Sequence, residues 1–268
     1  MIIGNRSFEK GTHIFAIVNM TPDSFFAESR TKECEVLTKA EKMIKDGAAV
    51  LDIGAQSTRP GHTLVPPEVE RERLLPAIRA VKRHFDIPVS VDTFYSSVAR
   101  AALDEGADLI NDIWGLQYDK DMAGTVAEYG ASVCIMHNQS HNRYPQGLWQ
   151  GIEDFLQVSL HLAKAAGIPE NKIVLDGGIG FGKDKAQNFA TLKEYTKLHS
   201  LGYPSLLGTS RKRMFGGEPQ DRLPATMRTS AFAAREGILF VRVHDVKENK
   251  YAIDHSEEFD TDFSDLEG

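Results

Sequence analysis

The sequence contains few cysteines and no long apolar run. Its only cysteines, Cys34 and Cys134, form no C-x-x-C pair, and Cys134 lies in an apolar run typical of a buried structural thiol. Neither a disulfide nor a thiolate metal site is therefore expected. Nowhere do about 18 apolar residues follow one another, as a membrane-spanning helix requires. The N-terminal segment also lacks the apolar core and cleavage site of a secretion signal, so we expect a cytoplasmic protein without a membrane partner.

The chain also has fewer basic than acidic residues. The chain has 31 Lys and Arg against 38 Asp and Glu, which gives a net charge of -7 and a pI of about 5.7. Proteins that bind the phosphate backbone of nucleic acids usually carry excess basic residues on one face. Nucleic acid is therefore not an expected partner.

What the chain does contain is a regular alternation of apolar runs and helical segments. Residues 66–85 form the clearest helical segment, with Leu74, Ile78 and Val81 on one side and charged residues opposite. The apolar runs are short and rich in β-branched residues, which is typical of buried parallel strands. They read HIFAIVN, AAVLDIG, IPVSVDT, ADLINDI, ASVCIMH, NKIVLDG, YPSLLGT and ILFVRVH.

Strand and helix alternate eight times in 268 residues, with no second class of composition. This pattern and length predict an α/β fold, a single-domain (β/α)8 TIM barrel over residues 1–268. The acidic end of the chain is poor in apolar residues, so we expect it to fray from about residue 256.

Polar residues follow almost every predicted strand, where a barrel of this type carries its active site. Any one of them could merely cap a turn, but the series as a whole indicates a site. Asp92, Asn111 and Asp176 suit a flat nitrogen heterocycle with N–H donors, and basic side chains suit a phosphate or diphosphate. The series comprises Asn19, Thr21, Asp23, Asp52, Ser57, Thr58, Arg59, Asp92, Asn111, Asp112, His137, Asn138, Asp176, Ser210, Arg211, Lys212, Arg242 and His244.

Short motifs in these loops resemble those of the dihydropteroate synthases, and they occur in that family's order along nearly the whole chain. The resemblance implies a transferase of folate synthesis. Its reaction would condense 7,8-dihydropterin-6-ylmethyl diphosphate with p-aminobenzoate to give 7,8-dihydropteroate and diphosphate. The motifs are VNMTPDSFF (18–26), STRPG (57–61), SVDT (90–93), NDIWG (111–115), MHN (136–138), GIGFGK (178–183), TSRKR (209–213) and RVHDV (242–246).

The resemblance also implies a role for individual residues. The pterin would be held by polar contacts and covered by apolar side chains. The residues implied are Asp92, Asn111, Asp176 and Lys212 for the contacts, and Ile113, Met136 and Phe181 for the cover.

For the other substrate groups, the resemblance implies that Asn19 contacts both the diphosphate and a magnesium ion, Mg²⁺. Asp23 would pair with Arg59 across two loops, and the residues implied as catalytic are Asp92, Lys212, Arg59 and Asp23. The family is commonly a homodimer, so we expect one here. The diphosphate and p-aminobenzoate would be contacted by Asn19, Thr58, Arg59, Pro60, Ser210, Arg211, Arg242 and His244.

The chain departs from the family pattern in a few places. Gly177 follows Asp176 where the family usually has proline, and the loss of that fixed φ is expected to loosen the turn. The first loop reads DSFFAESR, Gln56 stands where glutamate is frequent, and Met214 stands where phenylalanine is typical.

These departures leave two alternatives within the same scaffold: a pterin-binding paralogue without synthase activity and a methyltetrahydrofolate-type methyltransferase domain. A paralogue would lose its contacts to diphosphate and p-aminobenzoate, whereas Arg59, Ser210, Arg242 and His244 are present here. The methyltransferases would have less use for both the STRPG and SRK loops. The residues therefore favour the synthase.

Two motifs indicate other chemistries. GGIGFGK matches a nucleotide-binding phosphate loop, but Asp184 follows it where serine or threonine should meet magnesium. His137 and His141 have the spacing of a zinc pair on a helix, but nearby Pro145 and Gly147 predict a loop. Both interpretations are less favoured than a role in the barrel rim.

Overall fold

A computed structural model of the chain describes residues 1–20, 29–55 and 65–267, and for residues 29–32 it describes only the backbone. Ten strands lie within these ranges. They are β1 Ile2–Ile3, β2 Arg6–Ser7, β3 His13–Asn19, β4 Ala48–Gly54, β5 Val89–Asp92, β6 Leu109–Asp112, β7 Ser132–Met136, β8 Ile173–Asp176, β9 Leu206–Leu207 and β10 Phe240–Val243.

Helices follow most of these strands. The same described ranges contain α1 Ser29–Lys45, α2 Pro67–His84, α3 Ser96–Asp104, α4 Met122–Glu128, α5 Leu148–Ala166, α6 Lys185–Lys193, α7 Leu223–Arg235 and α8 Val246–Asp254. In α2, Leu74, Ile78 and Val81 are buried, which is the apolar side that the sequence predicts.

Strands β3 to β10 form one parallel sheet, in the order β8-β7-β6-β5-β4-β3-β10-β9. Each of them lies within one of the eight apolar runs, so the predicted (β/α)8 TIM barrel is confirmed. The sheet closes between β8 and β9, where the pairing is reduced to one parallel bridge between Leu175 and Ser205. Around this seam, the Leu175 amide donates to the Pro204 carbonyl at 2.9 Å.

The inside of the barrel is filled by side chains from alternate positions of the strands, as expected for a barrel of this size. Phe15 and Phe240 meet edge to face, with ring centroids 4.9 Å apart. The thiol of Cys134 is buried in the same layer, as its apolar run predicts.

The hairpin of β1 and β2 covers the N-terminal end of the barrel, and the sequence pattern did not predict it. Ile3 is fully buried against the inner layer, and the Ser132 hydroxyl donates to the Ile2 carbonyl at 2.6 Å. Each strand has only two residues, which is too short for alternation of apolar and polar residues to be recognised.

The acidic C-terminal segment packs on the barrel, which differs from the frayed end that the sequence predicts. Phe263 is buried, with its ring 5.7 Å from that of Phe232. Arg228 donates to Asp265 at 2.8 Å and its guanidinium lies 5.6 Å from the Phe263 ring. One aromatic residue and one arginine partner therefore hold a segment whose average composition is polar.

None of the helices in the part of the chain that the structure describes is long and apolar enough to cross a membrane.

Phe263→Ala should lower the free energy of unfolding by about 3 kcal/mol, because it removes a buried ring and leaves a cavity. Urea denaturation followed by circular dichroism measures the change. Phe259→Ala is the matched control, since Phe259 is only half-buried in the same segment and should cost less. Equal losses for the two variants would contradict the packing described for this segment.

Candidate active site

The carboxyl ends of the parallel strands bring most of the predicted site residues to one end of the barrel. Asp92 is the register partner of Asn111 across β5 and β6, and Met136 is the partner of Asp176 across β7 and β8. All four residues are buried. The end residue of β3, Asn19, is exposed at the same end.

Arg242 on β10 connects two buried carboxylates from other strands. Its Nε donates to Asp52 on β4 at 2.6 Å, and its Nη2 donates to Asp92 on β5 at 2.8 Å. Asp52 is fully buried, and its other oxygen accepts a hydrogen bond from Ser90 at 2.5 Å. Burial opposes the charged guanidinium, but Asp52 and Asp92 outweigh it and raise the pKa of Arg242. The guanidinium is therefore a fixed positive charge in the floor of the site.

Asp92 keeps one oxygen for another partner. Burial raises the pKa of Asp92 to about 6, although Arg242 opposes the rise. Its Oδ2 accepts from Arg242, whereas its buried Oδ1 has no hydrogen-bond partner among the described residues. A buried polar atom without a partner is costly, so this oxygen is suited to a donor that a ligand supplies.

Asp176, at the end of β8, is held in place by the turn that follows it. Its Oδ1 accepts from the Gly178 amide at 2.7 Å and lies 3.0 Å from the Tyr195 hydroxyl. Gly178 has a φ of +68°, and a side chain there would place its Cβ 1.9 Å from the His137 carbonyl oxygen. Only glycine allows this close approach of backbone to backbone. Burial raises the pKa of Asp176, and the Gly178 amide opposes the rise.

Lys183 lies beneath this turn rather than in solvent. Its Nζ contacts His137 Nδ1 at 2.9 Å and donates to the carbonyls of Gly178 at 3.0 Å and Phe181 at 3.2 Å. Burial lowers the pKa of Lys183 to about 7, opposed by Asp176, and burial also lowers the pKa of His137 to about 2. His137 is thus a neutral acceptor for Lys183. Within the described residues, no group of three His, Cys, Asp or Glu side chains could hold a metal ion.

Lys212 and a small apolar group form the wall of the site. The Lys212 ammonium lies 4.3 Å from the centre of the Phe181 ring, a cation–π distance. Ile113 and Met136 pack together with Phe94, and Phe181 packs against them. The three apolar residues that the resemblance implies are therefore neighbours, and Phe94 joins them.

Asp112 and Asp184 have local structural roles. The two oxygens of Asp112 accept from the amides of Trp114 and Leu116, each at 2.8 Å, so its carboxylate shapes the turn after β6. Asp184 caps α6 by accepting from the Gln187 amide at 2.8 Å. Asp184 thus begins a helix at the position where a phosphate loop would carry serine or threonine.

Ser210 and His244 face each other at the ends of β9 and β10. Ser210 Oγ lies 2.9 Å from His244 Nδ1 and accepts from the His244 amide at 3.1 Å. Burial and the neighbouring Arg242 lower the pKa of His244 to about 3, so the ring is neutral. Arg211 donates to Asp245 through Nε at 3.0 Å and Nη2 at 2.5 Å, which directs it to the neighbouring loop. Among the described residues implied as substrate ligands, Arg211 thus pairs with an aspartate outside that set.

Four of the residues implied by the resemblance, Asp23, Thr58, Arg59 and Pro60, lie outside the described residues. Their roles stay predictions.

Comparison with known proteins decides the family. A family model described as pterin binding enzyme matches residues 15–244. A dihydropteroate synthase from Clostridium beijerinckii is 43% identical over 260 residues, which cover 94% of this chain and 96% of that protein. The chain belongs to the dihydropteroate synthase family. It is therefore a transferase of folate synthesis that makes dihydropteroate.

Solved structures of dihydropteroate synthases have the same fold. A structure from Clostridium difficile, obtained with pteroic acid, has a TM-score of 0.90 and 42% identity, and it covers 94% of this chain and 98% of its own. A structure from Xanthomonas albilineans with 4-aminobenzoic acid has a TM-score of 0.85 and 34% identity, with coverages of 92% and 93%.

Beyond the residues that the family resemblance implies, the structure places three more in the candidate site. Asp52 was visible as a polar residue near a strand end, but only the fold shows that it pairs with Arg242. Lys183 is the last residue of the GIGFGK motif, and that motif was the sequence signal that could have identified it as a site residue. Tyr195 had no signal, because it lies beyond α6 in a stretch without a motif.

Arg242→Ala should lower the free energy of unfolding by about 3 kcal/mol or more at pH 8, because it leaves two buried carboxylates without their cation. The loss should be smaller at pH 5. Without Arg242 the pKa of Asp92 rises above its present value of about 6. A carboxyl with a raised pKa stabilises the fold when protonated, and that contribution is lost as the pH rises through the pKa.

Thermal and urea unfolding at both pH values measure this effect. Arg100→Ala is the control, because Arg100 pairs with Glu128 at the surface at 2.7 Å and its loss should have a much smaller effect on stability at either pH. A loss for Arg242→Ala that does not depend on pH would contradict the role assigned to the buried pair.

Proposed function

We propose that this end of the barrel binds the pterin ring of 7,8-dihydropterin-6-ylmethyl diphosphate and transfers the dihydropterin-6-ylmethyl group to p-aminobenzoate. The observation that carries the proposal is the buried Oδ1 of Asp92, which has no hydrogen-bond partner within the described part of the chain and lies beside Asn111. A pterin edge carries ring N–H and amino donors, which are the groups that such an oxygen requires.

The other pterin contacts follow from the same arrangement. Because Oδ1 of Asp176 is occupied by Gly178 and Tyr195, Oδ2 is the oxygen proposed to accept from the pterin amino edge. Lys212 would donate to the carbonyl side of the ring, and Phe181, Ile113 and Met136 would cover its faces. Each buried hydrogen-bond donor of the ring would then have an acceptor, and each buried acceptor would have a donor.

The diphosphate would lie toward Arg242, His244 and Asn19. Nε and Nη2 of Arg242 donate to Asp52 and Asp92, so Nη1 is the nitrogen proposed to face the phosphate oxygens. Asn19 fits a magnesium ion, because Mg²⁺ usually takes few protein oxygens and completes its shell with water and substrate phosphates. When bound, the ion would supply positive charge to the leaving diphosphate.

The proposed reaction needs no nucleophile from the protein. The bond between the pterin methylene carbon and the diphosphate oxygen breaks, and the diphosphate takes the electron pair. The arylamine nitrogen of p-aminobenzoate forms the new carbon–nitrogen bond and then loses a proton. Positioning of the reactants and stabilisation of the changing charge are the contributions that Asp92 and Lys212 would make.

For p-aminobenzoate, the proposal rests on Ser210 at the end of β9 and on the family resemblance of Thr58, Arg59, Pro60 and Arg211. The Xanthomonas albilineans relative was solved with 4-aminobenzoic acid, which supports the same second substrate here. Asp23 is proposed to assist by pairing with Arg59. The resemblance is also the support for a homodimer and for a cytoplasmic location.

Purified protein given the pterin diphosphate, labelled p-aminobenzoate and magnesium should release dihydropteroate and diphosphate in equal amounts. Asp176→Ala should abolish pterin binding in calorimetry, because the variant loses a charge-assisted contact. Arg59→Ala should leave pterin binding unchanged and lower turnover. Normal turnover by Asp176→Ala would refute the placement of the pterin, whereas pterin binding without any product would indicate a paralogue that has lost the synthase reaction.

Removal of divalent metal with a chelator should lower turnover, and added Mg²⁺ should restore it. Asn19→Ala should raise the magnesium concentration for half-maximal rate about tenfold, which corresponds to roughly 1.4 kcal/mol. Asn171→Ala, an exposed asparagine just before β8 and therefore at the opposite end of the barrel, is the control and should not change the magnesium dependence. An unchanged requirement in Asn19→Ala would remove this residue from the metal site.

A further inference from the structure

Tyr195 is a fully buried tyrosine whose hydroxyl lies behind the carboxylate of Asp176. It begins the 3-10 helix Tyr195–Leu201, which follows α6 on the outside of the barrel. The Gly177 amide donates to this hydroxyl at 2.9 Å, the hydroxyl lies 3.0 Å from Asp176 Oδ1, and it also hydrogen-bonds the Leu206 carbonyl. One phenol group therefore contacts both β9 and the turn after β8.

These contacts restrict the Asp176 carboxylate. Oδ1 lies within hydrogen-bonding distance of two donors, the Gly178 amide at 2.7 Å and the Tyr195 hydroxyl at 3.0 Å. The single proton of the Tyr195 hydroxyl is shared between this oxygen and the Leu206 carbonyl. Together with the Gly178 amide it restricts the rotation of the carboxylate, since turning it would break both contacts. The orientation of Oδ2 is therefore set by groups that lie behind the site.

Gly177 depends on the same tyrosine. Its φ is not in the left-handed region, so the glycine is not required by backbone conformation. It is required by space, because an ideal Cβ at this position would lie 2.9 Å from Cε2 of the Tyr195 ring. Its N–H is also in use as a donor to the hydroxyl. Proline, which the family usually has here, would supply a Cβ and remove the N–H.

We propose that Tyr195 is a positioning residue for the pterin-binding carboxylate, and that Gly177 and Tyr195 together replace the rigid proline turn after Asp176. The expectation that glycine loosens this turn is thereby revised. The restraint lost with the proline ring is supplied by hydrogen bonds from a neighbouring segment. Tyr195 does not touch the substrates, and it acts through Asp176.

Tyr195→Phe tests the proposal because it removes the hydroxyl and keeps the ring. The KM for the pterin diphosphate should rise about tenfold, in line with the loss of a hydrogen bond to a charged group, and the KM for p-aminobenzoate should stay unchanged. The hydroxyl lowers the pKa of Asp176. Its removal should therefore also move the acidic limb of the kcat/KM profile to higher pH.

Ser132→Ala is the matched control for a lost buried hydroxyl. Ser132 is buried and donates to the Ile2 carbonyl at the opposite end of the barrel. Ser132→Ala should lower the free energy of unfolding without changing the KM of either substrate or the pH profile. Unchanged pterin KM and unchanged pH profile in a folded Tyr195→Phe enzyme would overturn the proposal. The unsubstituted enzyme is assayed in parallel. If it makes dihydropteroate, the proposed function holds and an unchanged Tyr195→Phe enzyme contradicts only the role of Tyr195.

A double-mutant cycle tests the pairing with Gly177 independently. Gly177→Pro alone should lower kcat/KM for the pterin substrate, because the new ring meets Tyr195. In a Tyr195→Leu background, Gly177→Pro should lower kcat/KM for the pterin substrate several-fold less than it does alone, since the smaller side chain leaves room for the proline ring. Additive effects would refute the pairing. If Tyr195→Phe fails to fold, the KM and pH readouts on Gly177→Ala decide, because the added methyl would lie 2.9 Å from Cε2 of Tyr195 and push away the ring that carries the hydroxyl.

Discussion

A partly buried guanidinium between two buried carboxylates is the interaction on which the site depends. Arg242 comes from β10, and its partners Asp52 and Asp92 come from β4 and β5, so the contacts cross the mouth of the barrel. Removal of three charges from water is costly, and only close pairing with good geometry offsets that cost. The arrangement thus fixes the relative position of strands that are not neighbours, and with them the unbonded oxygen of Asp92.

The two lysines near the proposed pterin site have different surroundings for their charge. Lys212 lies against the face of Phe181, where an aromatic ring favours a cation. Lys183 is surrounded by carbonyl oxygens and a neutral histidine, and burial lowers its pKa to about 7. Lys183 supports the Gly178 turn from behind, whereas Lys212 lies on the Phe181 ring, where the proposed function places the pterin. Similar residues in adjacent motifs therefore have different functions.

The strands, the barrel and most of the site could be predicted from the sequence, because each depends on local patterns. Buried strands need apolar runs, and site residues follow them at strand ends. Long-range partners could not be predicted in this way. Nothing near Arg211 in the sequence indicates that its guanidinium pairs with Asp245, and average composition could not reveal that Phe263 and Arg228 hold the acidic tail on the barrel. The sequence shows that Gly177 departs from the family's usual proline. The space that favours glycine there is limited by the ring of Tyr195, eighteen positions away.

The seam between β8 and β9 gives this barrel a property that a uniformly paired sheet would not have. The ladder there is reduced to the Leu175–Ser205 bridge, and the Tyr195 hydroxyl spans the same gap between the turn after β8 and Leu206. The carboxylate proposed for pterin recognition thus sits on the least paired edge of the sheet. A ligand that binds only the closed seam stabilises it by mass action. A pterin bound to Asp176 would therefore stabilise this edge of the sheet.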